Sequence, residues 1–166
     1  MAQNKLLRIG NQTITIQQAQ QIWAECLGNT EPVRMLPGDL LALWAQLPGA
    51  EIHKNSIPDW PAFESGSLDL TADDWAMYMG LAKADPTQWL YLVTDEGWKD
   101  KVAFRLKAGE FAEFVDGYES HYQMDFFQSA DYILFPEDLA FAHILHHEGV
   151  VFFCTRAASI FASSPA

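Results

Sequence analysis

Between Gln88 and Thr155 the hydrophobic period shifts from two to 3.6 and back to two, and that order constrains the fold more than any motif does. Gln88 to Thr94 has strand composition, and Lys101 to Lys107 sets Val102, Phe104 and Leu106 against Ala103, Arg105 and Lys107. Phe111, Phe114, Val115, Tyr118 and Tyr122 then recur at helical spacing. Asp131 to Phe135 and Val150 to Thr155 return to strand composition. Phe141 to His147 alternates like a strand although Pro136-Glu137-Asp138 is a good helix start; Gly149 directly after it favours the strand, paired back onto Val-Val-Phe-Phe.

The first half supplies helices. Lys5 to Ile9 and Thr13 to Ile16 predict a small hairpin around Gly10, Asn11 and Gln12. Ile16, Ala19, Ile22, Trp23 and Cys26 line one helix that stops at Gly28, and Leu36 to Leu47 forms a second with Pro37 near its start. Thr71 and Asp74 cap a third, carrying Trp75, Tyr78, Met79 and Ala82 until Asp85-Pro86. Ala50 to Leu70 lacks a period and reads as a long loop pinned by Trp60 and Phe63. The sum is one α+β domain over residues 1–156, with a largely antiparallel sheet, about four amphipathic helices and a loose tail over 157–166.

At 166 residues and 49% apolar composition the chain can bury a real core, and its net charge of −12 is laid over that core unevenly. The first 60 residues carry −1 and the rest −11. From Ala108 to Thr155 there is no Lys or Arg, yet nine acids occur: Glu110, Glu113, Asp116, Glu119, Asp125, Asp131, Glu137, Asp138 and Glu148. Such a field repels nucleic acid and anionic lipid and attracts cations or a basic protein surface. Cys26 and Cys154 lie in apolar stretches without metal spacing and read as buried free thiols, which with the absence of an apolar signal or span predicts a cytoplasmic protein.

Catalytic signatures are weak. Ser65 lacks the glycines of a nucleophile elbow, Cys154 is embedded in an apolar run, and Gly38, Gly49 and Gly66 build no phosphate cradle. Asp73-Asp74, Asp95-Glu96 and Glu137-Asp138 read as solvated pairs. His143, His146, His147 and Glu148 are candidate metal ligands, but strand alternation turns His143 and His147 one way and His146 and Glu148 the other. On that geometry no cofactor and no stoichiometric metal is expected. Trp98, ringed by charge in Asp95-Glu96-Gly97-Trp98-Lys99-Asp100, reads as an exposed binding anchor in a hairpin loop.

The run Asp131 to Phe153, D-Y-I-L-F-P-E-D-L-A-F-A-H-I-L-H-H-E-G-V-V-F-F, is similar to the C-terminal part of small bacterial immunity-type proteins, whose genes accompany polymorphic or contact-dependent toxins. The resemblance implies a protein-binding module that blocks a cognate toxin, and the acidity of the chain adds the expectation that it does so by occluding a basic surface. Charge points to Glu110, Glu113, Asp116 and Glu119 as partner contacts alongside Trp98. The partner class is then a basic protein, a toxin domain or a second copy in a homodimer, and not nucleic acid or membrane. The alternative is a metal-dependent enzyme using His143, His146, His147 and Glu148.

Overall fold

Tyr132–Phe135 reads Tyr-Ile-Leu-Phe, and all four side chains are buried. Successive strand side chains point to opposite faces, so a strand apolar at every position requires cover on both sides. In the computed structural model, which describes residues 12–28, 31–65, 69–81, 84–124, 126 and 131–156, that strand is the centre of a seven-stranded sheet. Lys5–Ile9, Ala82, Asp125 and the tail 157–166 lie outside the described residues.

The elements run β1 (Gln12–Thr15), α1 (Ile16–Cys26), α2 (Pro37–Trp44), β2 (Glu51–Ser56), α3 (Trp60–Glu64), α4 (Ala72–Tyr78), β3 (Trp89–Val93), α5 (Asp95–Lys99), β4 (Val102–Lys107), α6 (Phe111–Tyr122), β5 (Tyr132–Phe135), β6 (Phe141–His146) and β7 (Val150–Thr155). Strand order is β1-β4-β3-β5-β6-β7-β2, and every pairing is antiparallel. The domain is α+β, as the alternating periods predict.

Each face carries its own core. Tyr91, Val93, Ile133, Phe135 and Ile144 pack under α1 and α2, where Trp23 meets Trp44 and Phe135 edge to face. Leu90, Leu92, Leu134 and Leu145 face the other way, under α6 with Phe111, Phe114, Val115 and Tyr118, and under Trp60, Phe63 and Trp75. The helix starts are locally encoded: Thr15 and Thr71 each close a capping box, with Gln18 and Asp74 respectively. Helix α1 stops at Gly28, whose φ is +71°.

Four segments differ from expectation, one of them Trp60–Glu64, a short helix inside the stretch expected as loop. Glu51–Ser56, expected as loop, is edge strand β2, hydrogen-bonded to β7 with all six side chains exposed. With neither face buried it has no apolar alternation to read, and backbone pairing alone makes it a strand. Asp95–Lys99 is a helical turn, not an irregular hairpin loop, because Thr94 caps it. Helix α4 ends at Tyr78, with Gly80 at φ +72° providing the left-handed exit before Asp85-Pro86 is reached.

Trp60 and Phe63 do pin their segment to the core, and Trp60 does more. Its Nε1 donates to Glu64 Oε1 at 2.7 Å and to the His147 carbonyl at 3.3 Å, so α3 locks the β6–β7 turn. Gly149 in that turn has φ +82°, and a Cβ there would run into the Trp60 ring. Gly149→Ala therefore meets both a forbidden backbone region and overpacking, and we expect a loss of about 2 kcal/mol or more in urea unfolding. Unchanged stability would mean that the indole moves aside freely.

Candidate functional site

Thr94 ends the last apolar run of β3 and is 1% exposed. A buried hydroxyl needs partners, and here its oxygen accepts from the Gly97 N–H at 2.9 Å and from the Tyr118 O–H at 2.9 Å. The first bond starts α5 and the second ties it to α6 across the sheet end. Gly97 has no room for a side chain, since a Cβ would sit 2.9 Å from the Phe104 ring and from the Val102 carbonyl. Tyr122 adds a bond from its hydroxyl to Asp100 Oδ2 at 2.9 Å. Held at this many points, α5 presents Trp98 outward, 44% exposed as its charged setting predicts.

Trp98 forms the lip of a cavity of about 310 Å³. The floor is Val93 and Ile133 from the sheet, Gln20 of α1 and Met35 to Pro37 at the start of α2 make the walls, and Arg34, Asp95 and Asp131 supply charge. Leu36, 49% exposed, stands among the same lining residues. The volume is at the lower end for ligand pockets and suits one inserted side chain. A wider, open groove of about 590 Å³ follows α2 past the Arg34–Asp39 pair and brings together no convergent chemistry.

Behind the cavity, acids and imidazoles meet at the strand ends. The β3–β5 register pairs Val93 with Ile133, and the β5–β6 register pairs Tyr132 with Leu145; continued outward, they set Asp131 between Asp95 and His146. The Asp131 backbone N–H bonds to the Asp95 carboxylate. Burial, then the Asp131 charge, pushes the Asp95 carboxyl above the usual range. Asp131 Oδ1 accepts from the His147 backbone N–H at 2.9 Å and lies 3.0 Å from His147 Nδ1. The His146 and His147 rings stack with centroids 4.0 Å apart.

This corrects the histidine grouping read from the sequence. Strand alternation stops at His146, so His147, in the turn, lies beside His146 instead of across the sheet from it. Asp131, His146 and His147 place ligand atoms within 4.8 Å of one another. His143 is separate: it is 9% exposed on the α6 face, its ring against Phe141 and Phe153, hydrogen-bonded to the Met79 backbone. Glu148 is exposed, its Oε2 3.8 Å from His146 Nδ1. Asp131 was legible only through strand register, which a single chain's residue spacing does not display.

The acids of α6 divide likewise. Glu113 and Asp116 are exposed on its outer side, Glu119 accepts the Phe126 backbone N–H at 3.1 Å, and Glu110 stands at the helix N-cap with Oε2 buried. The α6 core residues belong to one sheet face, whereas the cavity floor belongs to the other. Cys154 is buried as expected, its thiol pushed up to about 12 by burial, which disfavours its thiolate; Cys26, expected to be buried, is only half-buried. No helix among the described residues is long and apolar enough to cross a membrane. Compared with protein-family models, curated proteins and solved structures, the chain matches none.

His143 carries a pH prediction. Burial holds its imidazole down to about 4, only partly opposed by the Met79 bond, against about 6.5 in the unfolded chain. Between these values the unfolded state binds more protons, so stability rises with pH through the window and falls on acidification from about 6.5 to 4, by about 3 kcal/mol in total. His143→Leu should flatten that part of the curve in urea unfolding at stepped pH. An unaltered slope would assign acid sensitivity to other groups.

Proposed function

We propose that this protein is an acidic protein-binding module, of the immunity kind, whose contact surface is the Trp98 end of the sheet. One observation carries the reading: a tryptophan 44% exposed stands on a helix fixed by buried hydrogen bonds, at the lip of a cavity with acids in its wall. Exposing an indole forgoes burial that the core could have used, and aromatic anchors with charged rims characterise interface hot spots. The cavity beside it takes one side chain of the partner. Asp95 and Asp131 favour a basic one, Lys or Arg.

Glu113 and Asp116 contribute in this reading through the field, not through contact. Their charge adds to the −12 of the chain and steers a basic surface during approach. A toxin with a basic active-site cleft, the partner class that the resemblance implies, has the matching surface. The neighbouring gene tells which partner to use: a toxin domain encoded there supports the immunity reading, and an operon of metabolic enzymes counts against it.

With such a toxin domain in hand, stopped-flow association at low and high salt should show the on-rate falling about tenfold or more as salt rises. Screening at physiological ionic strength already acts over about 8 Å. An on-rate indifferent to salt removes the steering argument. Trp98→Ala should cost about 2 kcal/mol or more of affinity with little change in melting temperature. Large destabilisation with affinity unchanged would place the indole's role in the fold and sink the anchor.

A further inference from the structure

Two imidazoles and a carboxylate converging at the surface end of a sheet form the donor set of a borderline divalent ion. Asp131, His146 and His147 bring their ligand atoms within 4.8 Å, and they come from two strand ends and a turn locked from beneath by Trp60. A tetrahedral ion with ligands at about 2.1 Å spaces its donors about 3.4 Å apart, so modest side-chain rotation closes the set. His147 is exposed and His146 and Asp131 are partly so, which leaves them that freedom.

The surroundings favour a cation on independent grounds. Both bonds to Asp131 land on Oδ1, so Oδ2 has no partner among the described residues. Glu148 is exposed nearby, its Oε2 3.8 Å from His146 Nδ1, and offers a further oxygen.

We propose that Asp131, His146 and His147 bind one transition-metal ion of the zinc type, with solvent completing its coordination. Nitrogen donors exclude magnesium and calcium as the preferred occupants. Three protein ligands and an open position distinguish the site from a closed structural zinc site. The inference stands apart from the partner reading, because it concerns the chain alone.

The test is calorimetric titration of the untagged full chain with zinc chloride, and with magnesium chloride as comparison. We expect saturable uptake of one zinc per chain, a rise in melting temperature with zinc, and no response to magnesium. His146→Gln and His147→Ala should each weaken zinc binding about tenfold or more, while His53→Ala, in an exposed pair on β2, leaves it unchanged. No saturable zinc binding by the unmodified chain overturns the proposal, whatever the variants do. Binding that survives both replacements, or that His53→Ala removes, overturns it equally.

Discussion

Burial of β3 and β5 on both faces is the constraint from which the other elements follow. Trp-Leu-Tyr-Leu-Val and Tyr-Ile-Leu-Phe present apolar side chains up and down, and an antiparallel sheet with such strands at its middle has no face to give to water. Two helical layers are required: α1 and α2 make one, and α6, between β4 and β5, makes the other together with α3 and α4. The edges obey the opposite rule. β2, with Lys54 and six exposed side chains, closes one side in the charged, polar manner that discourages further strand addition.

That arrangement decides where chemistry can sit. With both faces covered, the open places are the strand ends, and the ends of β3, β5 and β6 fall together because these strands are neighbours. Thr94 completes the construction, since its buried oxygen takes donors from α5 and α6 and so links the layer on one face to the lip of a cavity on the other. Losing that hydroxyl would strand two donors in the interior, a larger effect than the loss of one exposed cap. The site is thus as rigid as the core beneath it.

Period and capping were readable wherever side chains choose between core and water. Phe111, Phe114, Val115 and Tyr118 are buried on α6 as their spacing predicts, and β6 holds its alternation through His143 and Leu145. Two kinds of feature escaped. β2 has no buried side chain, so its strand character rests on backbone bonds that composition does not report. Asp131 joins His146 and His147 through register, a relation between segments, and His147 leaves the strand's alternation just where the turn begins. The register that sets Asp131 opposite His146 is centred between Asp138 and Leu139, whereas counting outward from Pro136-Glu137-Asp138 would have brought His143 opposite Asp131. Trp98 was visible for a different reason: four charged neighbours in six residues left its indole little apolar company.

Asp131 couples the two readings of this end of the molecule, because it lines the cavity and belongs to the donor set. A cation held there would replace negative charge at the cavity wall with positive charge. A Lys or Arg inserted beside Trp98 would then meet a repulsive wall in place of an attractive one. The same sign holds in reverse, since a basic side chain in the cavity disfavours the ion by the same factor as the ion disfavours it. Taken together, the two proposals make cation and basic partner antagonists by linkage, through a single carboxylate.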